Sequence, residues 1–197
     1  MLLVDAWVDY SSPFAYLGST QIERVAAEAG ARARFRPFLL GALFRSIGTP
    51  LVPIEAMSEA KRSYYRLDLE RWARHWGVPF TFSARFPLRS VDALRLTLLA
   101  PESLRSPLVH AIMRATWAED RDPADPDVLR GCAREAGVDP ALIERAPEAK
   151  ELLREETQRA IDLGVPGAPT FVVGEDLYWG QDRLDFVARR LSRPRSP

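Results

Sequence analysis

The stretch DYSSPFAYL, residues 9–17, decides how this chain folds. It overlaps the end of the largely apolar run LLVDAWVD, residues 2–9, which has the length and composition of a buried strand. Ser12 is a favoured residue immediately before a helix, and Pro13 is favoured as the first residue inside one. The stretch therefore predicts a strand that ends near residue 9 and a helix that runs from Pro13 to about Gly30.

The segments on either side of this helix extend the pattern. In ARARFRPF, residues 31–38, apolar and polar residues alternate well enough to predict a second strand, which completes a β-α-β unit. From about 41 to 163 the chain is expected to be helical throughout. A Gly/Pro-rich segment then leads into two short strands that turn at Gly174-Glu175. The middle helices are predicted at residues 56–76, 90–100 and 106–119, from Asp125-Pro126, from Asp139-Pro140 and at 148–163, the last strands at 170–173 and 176–179, and the closing helix at 181–192.

This order of elements predicts an α/β chain whose β-α-β and β-β-α halves flank a large all-helical insertion. Residues 1–40 and 164–197 are assigned to the domain that contains the sheet, and residues 41–163 to the helical insertion domain. The length of 197 residues is enough for one such unit with a substantial core.

Composition and charge exclude several classes of protein. Hydrophobic residues make up 47% of the chain and charged residues 27%, which is typical of a globular protein and rules out intrinsic disorder. Basic and acidic residues both number 27, so no basic excess points to nucleic acid or an anionic membrane. The N-terminal segment has the pattern of neither a signal peptide nor a membrane span, so a cytoplasmic location is expected.

Most common catalytic motifs are absent from the sequence. There is no G-x-G-x-x-G, no phosphate-binding G-x-x-x-x-G-K-[ST] and no G-x-S-x-G. The only histidines, His75 and His110, lie within predicted helices and are expected to be structural. Cys132 is the only cysteine, which excludes an intrachain disulfide, a cysteine-based zinc site and a Cys-x-x-Cys pair. Its apolar helix face predicts a buried core residue, and no metal site is expected.

The Ser12-Pro13 pair has two interpretations. Capping of the helix alone explains both residues. A helix N-terminus also presents unpaired N–H groups and a partial positive charge, which stabilise an anion such as a thiolate. Because the chain has no cysteine here, that thiolate would come from a ligand, and the serine hydroxyl would donate a hydrogen bond to its sulfur.

Two later segments also have both a ligand-binding and a purely structural interpretation. A cis bond at Ala168-Pro169 would turn the Ala168 N–H and C=O outward to pair with an extended, peptide-like ligand. Otherwise Pro169 simply begins the next strand. In WGQDR, residues 179–183, Asp182 is expected in the first turn of the last helix, either as a ligand contact or as plain stabilisation of the helix N-terminus.

Four segments in order resemble those of the kappa-class glutathione transferases and 2-hydroxychromene-2-carboxylate isomerases. They are the opening DYSSPFAYL, the middle DLERWARHWGVPF from Asp68 to Phe80, APTF at 168–171 and WGQDRL at 179–184. The resemblance covers nearly the whole chain, and the four segments together are specific although none is decisive alone. It implies a DsbA-like thioredoxin fold with a helical insertion.

The resemblance also implies glutathione as the cofactor. By analogy Ser12, with Pro13 and Phe14 at the same helix start, contacts the glutathione sulfur. Ala168, followed by Pro169, pairs with the backbone of its cysteine. The γ-glutamyl end is expected at Trp179, Gly180, Gln181 and Asp182. Ser12 and Ala15 stand where DsbA-like oxidoreductases have Cys-x-x-Cys, so the chain itself does not exchange disulfides.

One segment departs from the family pattern. The loop after the second strand often has Lys or Arg followed four residues later by asparagine, whereas this chain has Arg45 and Thr49. Arg45 remains able to hold a substrate carboxylate, but Thr49 is shorter and has lost the amide.

The predicted function is a glutathione-dependent isomerase of 2-hydroxychromene-2-carboxylate-like aromatic acids. Alternatives are a kappa-type transferase that conjugates electrophiles, a non-catalytic thioredoxin-fold binding protein, and an interaction protein that docks through its helices. The expected partner is a small aromatic or electrophilic molecule, and relatives suggest a homodimer.

Overall fold

A four-stranded sheet forms the centre of the computed structural model, which describes residues 2–193. Residue 1 and residues 194–197, the ends of the predicted sheet domain, lie outside that range. The strands are β1 (Leu2–Val8), β2 (Ala31–Pro37), β3 (Thr170–Val173) and β4 (Asp176–Trp179), in the order β2-β1-β3-β4. β1 and β2 are parallel, and β3 is antiparallel to both β1 and β4. The predicted β-α-β and β-β-α halves therefore meet where β1 pairs with β3.

Eight helices surround the sheet in the described part of the chain. Helix α1 links β1 to β2, and the other seven lie between β2 and β3 or after β4. Their bounds are α1 Pro13–Glu28, α2 Leu40–Ser46, α3 Glu59–Trp76, α4 Val91–Leu99, α5 Glu102–Trp117, α6 Pro126–Glu135, α7 Lys150–Asp162 and α8 Leu184–Leu191.

The start of α1 forms as its capping residues predict. The Ser12 side chain accepts a hydrogen bond from the Ala15 N–H over 3.1 Å, and Pro13 is the first helical residue. The helix then buries an apolar face that includes Leu17 and Ile22 against the sheet. This local geometry fixes where the N-terminus of α1 lies relative to the end of β1.

The expectation that residues 41–163 are helical throughout is wrong at three places, 47–58, 77–90 and 118–125. Residues 47–58 contain only the short 3-10 turn Pro53–Ala56. Residues 77–90 are irregular, because Gly77 ends α3 with a left-handed φ of +65° and two prolines follow. Long-range contacts hold this second segment, including a 2.6 Å hydrogen bond from the Thr81 N–H to the Trp117 carbonyl.

Several predicted helix boundaries also shift. Pro140–Ala149 is a 3-10 segment rather than an α-helix, and it contains Pro147, which has no N–H to donate. Helix α5 begins at Glu102, four residues before the predicted start. The closing helix begins with a 3-10 turn, Gln181–Arg183, so Asp182 precedes α8 instead of lying in its first turn. The hairpin at Gly174-Glu175 is confirmed.

Helices of the predicted insertion are anchored directly to the end of β1. The Tyr10 hydroxyl is 2.5 Å from the Thr97 hydroxyl of α4, and the Trp117 indole N–H of α5 donates to the Tyr10 carbonyl over 2.8 Å. These groups are buried, where hydrogen bonds are costly to lose. The helices and the sheet therefore share one continuous core, and the division into two domains stays a prediction. No helix within residues 2–193 is both long and apolar enough to cross a membrane.

Candidate active site

One open cleft of about 980 Å³ lies at the junction between the sheet and the inserted helices. One wall is formed by the N-terminus of α1, the loop before β3 and the end of β4. The other is formed by α2, the segment after it, α3 and the residues before α4. All the site residues predicted from the sequence line this cleft: Ser12, Pro13, Phe14, Arg45, Thr49, Ala168, Pro169, Trp179, Gly180, Gln181 and Asp182.

The Ser12 hydroxyl bridges the N-terminus of α1 and the loop before β3, which together form the floor of the cleft as well as part of its first wall. It donates to the Ala168 carbonyl over 2.8 Å and accepts from the Ala15 N–H. Its single proton is therefore already engaged, whereas the sequence analysis expected it to point at a ligand sulfur. Donation to a ligand requires rotation about the Cβ–Oγ bond, after which the Ala168 carbonyl is free to accept another hydrogen bond.

The loop that carries Ala168 packs tightly on α1. The Ala168-Pro169 bond is cis, as the sequence analysis considered. The Pro169 carbonyl accepts from the Gly180 N–H over 3.0 Å, which ties the loop to the end of β4. A Cβ on Gly18 of α1 would lie 3.0 Å from the Pro169 ring, so a glycine is needed for this approach. These contacts hold the Ala168 backbone at the cleft floor beside Ser12.

The far end of the cleft is lined by the carboxylates of Asp68 and Asp182, and Asp182 is paired with Arg183 over 3.4 Å. Gly180 has a φ of +112°, and a Cβ there would lie 2.5 Å from the Asp182 carboxylate. Gln181 is buried, and its Oε1 has no hydrogen-bond partner among the described residues. Asp68 of α3 faces the same region: its pKa is raised by burial and, to a lesser degree, by the nearby Asp182 carboxylate. Two carboxylates and a free amide oxygen suit a cationic group.

Asp68 is a site residue that sequence reasoning did not single out. It begins the DLERWARHWGVPF segment that carried part of the family resemblance, yet nothing in that pattern says which way the side chain faces. Its position on a mostly exposed helix made a solvated carboxylate the default. Only the packing of α3 beside the end of β4 brings it into the cleft.

The opposite wall is mainly apolar and carries basic groups. Arg45 lies in the last turn of α2. The Thr49 N–H donates to the Phe44 carbonyl over 2.9 Å, and this hydrogen bond holds the segment after α2 close to the helix. Arg89, from the irregular segment before α4, lines the same cleft and was also missed. Apolar lining residues include Phe44, Leu51, Met57, Phe86 and Leu88. This wall suits a flat apolar ligand that carries a negative group.

Asp9 is a further cleft residue that the sequence did not reveal as functional. It is buried directly after β1. One carboxylate oxygen accepts from both the N–H and the hydroxyl of Ser11 at 2.9 Å, and the other accepts from the Leu40 N–H at 2.8 Å. Burial raises the pKa of Asp9 in spite of these hydrogen bonds. The one feature of the sequence that could have pointed to Asp9 is a charged residue directly after an apolar strand.

The residues set aside by the sequence analysis lie outside this cleft. His110 forms a 2.6 Å hydrogen bond with Glu23, and His75 packs beside Trp72 and Trp76. Cys132 is buried, which raises the pKa of its thiol to about 11 and disfavours the nucleophilic thiolate. Within residues 2–193, no three His, Cys, Asp or Glu side chains are arranged to hold a metal ion.

Comparison with known proteins identifies the family. The model of the DSBA-like thioredoxin domain matches residues 3–192. A 2-hydroxychromene-2-carboxylate isomerase of Sphingobium xenophagum is 32% identical over 191 residues, covering 95% of this chain and 97% of that protein. Glutathione S-transferase kappa 1 of Caenorhabditis elegans is 25% identical, covering 97% of this chain and 91% of that protein.

Solved structures agree with this assignment. The structure of a 2-hydroxychromene-2-carboxylate isomerase superposes with a TM-score of 0.85 at 27% identity, covering 96% of this chain and 94% of the other. The predicted thioredoxin-like fold with inserted helices is thereby confirmed. The chain belongs to the DSBA-like thioredoxin domain family, and within it to the enzymes related to the isomerases and kappa glutathione transferases.

Proposed function

We propose that this protein is a glutathione-dependent isomerase of aromatic acids similar to 2-hydroxychromene-2-carboxylate. The observation that carries the proposal is the Ser12 hydroxyl, held 2.8 Å from the Ala168 carbonyl at the N-terminus of α1, on the floor of a deep cleft. The cleft volume is at the upper end of the usual range for ligand pockets, which leaves room for a cofactor and a substrate side by side. The names of the full-length relatives support the same reaction class.

The polar groups of the cleft fit the parts of glutathione. The γ-glutamyl ammonium suits the acidic end formed by Asp182, Asp68 and the unpartnered Gln181 amide oxygen. The Ala168 backbone suits the peptide unit of the cysteine, as an added strand would pair there. The thiol then lies towards Ser12, where the N-terminus of α1 supplies partial positive charge.

Glutathione, when bound, supplies a thiolate that adds to and later leaves a conjugated carbon, so that a double bond is temporarily a rotatable single bond. The Ser12 hydroxyl turns from the Ala168 carbonyl to donate to the sulfur, while its oxygen still accepts from the Ala15 N–H. The Ala168 carbonyl, released by that turn, accepts an N–H from the ligand backbone. Each hydrogen bond lost is therefore replaced by another, so binding leaves neither the Ser12 hydroxyl nor the Ala168 carbonyl unsatisfied.

The basic, apolar wall is assigned to the substrate. Arg45 and Arg89 are placed to pair with a substrate carboxylate, and Phe44 and Phe86 to cover its ring. Thr49 offers less reach than the asparagine common in the family, so we expect a substrate or orientation somewhat different from that of the relatives.

A kappa-type transferase is the second candidate, because the thiolate half of the site serves both reactions. The match to a kappa glutathione transferase along nearly the whole chain favours it specifically. The two differ only in whether the sulfur adduct is released as product or broken down again.

The test is a glutathione titration by calorimetry, combined with ultraviolet detection of bound thiolate near neutral pH. Two assays follow on the same preparation: interconversion of 2-hydroxychromene-2-carboxylate with its ring-opened isomer, and conjugation of 1-chloro-2,4-dinitrobenzene. Glutathione-dependent isomerisation supports the main proposal, and conjugation alone supports the transferase. Binding without ionisation, or no binding at millimolar glutathione, contradicts both and favours a non-catalytic binding protein.

The proposal extends to the cellular setting and the assembly. A cytoplasmic location fits a reaction that needs reduced glutathione. A homodimer is expected from the family resemblance, and light scattering coupled to gel filtration measures it directly.

A further inference from the structure

Asp9 connects two structural segments that meet at the cleft. Its carboxylate accepts from Ser11 in the turn before α1 and from Leu40 at the start of α2. The turn leads to Ser12, whereas α2 carries Arg45.

The chemistry of these contacts fits a carboxylate at this position better than an amide. Each carboxylate oxygen accepts from a backbone N–H, one from Ser11 and one from Leu40. A backbone N–H can only donate, so an amide nitrogen in place of either oxygen would set two donors against each other. Burial makes such a mismatch costly.

We propose that Asp9 is a positioning residue that holds the substrate wall at a fixed distance from the Ser12 turn. This inference rests on the proposed glutathione-dependent function and adds a residue that touches neither glutathione nor the reacting atoms. When the Asp9 contact to α2 is lost, the wall that carries Arg45 shifts relative to the sulfur. Substrate binding is then weakened, whereas the glutathione contacts at Ala168 and Asp182 stay in place.

Leu40→Pro tests this. Proline lacks the N–H that Asp9 accepts and places its ring Cδ where that hydrogen was, so the Asp9 carboxylate must move away from α2. Residue 40 is the first of α2, where proline is favoured. Leu39 already has the extended backbone that precedes proline readily, with φ −89° and ψ 102°. Leu40→Ala is the matched variant, because it removes the leucine side chain and keeps the N–H.

The expected result is a KM for the aromatic substrate on the order of 10-fold higher in Leu40→Pro than in Leu40→Ala. The glutathione dissociation constant and the pKa of the bound thiol should be the same in both. Asp9→Asn should raise the same KM, and Asp5→Asn, within β1 and paired with Arg34 away from the cleft, should not. Hydrogen exchange should become faster at residues 41–46 in Leu40→Pro.

Equal KM values for Leu40→Pro and Leu40→Ala overturn the proposal, as does a parallel loss of glutathione affinity and substrate affinity. If Leu40→Pro fails to fold, the comparison of Asp9→Asn with Asp5→Asn replaces it, and equal KM values for these two variants also overturn the proposal. Failure of the wild type to bind glutathione refutes the proposed function instead. In that case hydrogen exchange in α2 still decides whether Asp9 holds this wall.

Discussion

Replacement of Ser12 by alanine should raise the pKa of bound glutathione while leaving the protein folded. The substitution removes the cap of α1, which costs about 1 kcal/mol, and leaves the Ala168 carbonyl without its partner, which adds about 1 kcal/mol. A loss of about 2 kcal/mol lowers Tm by about 4–8 °C in a chain of this size. One hydrogen bond to a charged sulfur contributes about 1.5–3 kcal/mol, so the thiol pKa should rise by about 1–2 units.

The measurement is a pH titration of thiolate absorbance at saturating glutathione, with affinity followed by calorimetry. Ser19→Ala is the matched control: it removes a buried hydroxyl from the same helix, where Ser19 donates to the Tyr16 carbonyl over 2.7 Å. That variant should lose stability without a change in thiol pKa, and Ser12→Thr should restore the wild-type value in part. An unchanged thiol pKa in Ser12→Ala would refute the assignment of Ser12 to the sulfur.

Three further predictions address the acidic end of the cleft and the outer surface of the fold. Gly180→Ala should weaken glutathione binding on the order of 10-fold by calorimetry, because the new Cβ would lie 2.5 Å from the Asp182 carboxylate and the backbone has a φ of +112°. The control variant Gly131→Ala, within α6, should bind glutathione normally. Asp182→Asn should lose a similar factor for glutathione but not for cysteinylglycine, which lacks the γ-glutamyl end; equal losses for both ligands would contradict the assignment. The hydrogen bond from His110 lowers the pKa of Glu23 below its ordinary value of 4.5, so the stability that Glu23 contributes is present above that pH and is lost as the pH falls. The Tm difference between wild type and Glu23→Gln should therefore shrink between about pH 6 and about pH 3, and a constant difference would count against the ion pair.

Several elements could be predicted because their causes are local. The Ser12-Pro13 start of α1, the Asp125-Pro126 start of α6 and the hairpin at Gly174-Glu175 each depend on residues within one turn of the chain. Capping and turn formation need only neighbouring side chains and backbone groups. Such features are therefore readable from sequence.

The irregular segment at 77–90 could not be predicted in the same way. Ser83 donates to the Asp120 carboxylate over 2.6 Å, and Arg85 donates to the Asp120 carbonyl over 2.6 Å. These partners are more than thirty residues away in the chain. Hydrophobic periodicity describes one segment at a time. It does not show which distant residues will accept or donate the hydrogen bonds of that segment.

The sequence by itself determined the fold class, the family and the position of Ser12 at a helix N-terminus. These depend on interactions between neighbouring residues and on motifs that occur in a fixed order along the chain. Tertiary structure alone decided that Ser12 donates to Ala168 and that Asp68 and Arg89 line the same cleft. It also decided that Asp9 joins the turn before α1 to the start of α2. The physical reason is that a site depends on distances between atoms, and those distances are set only when the helices pack against the sheet and bury their shared core.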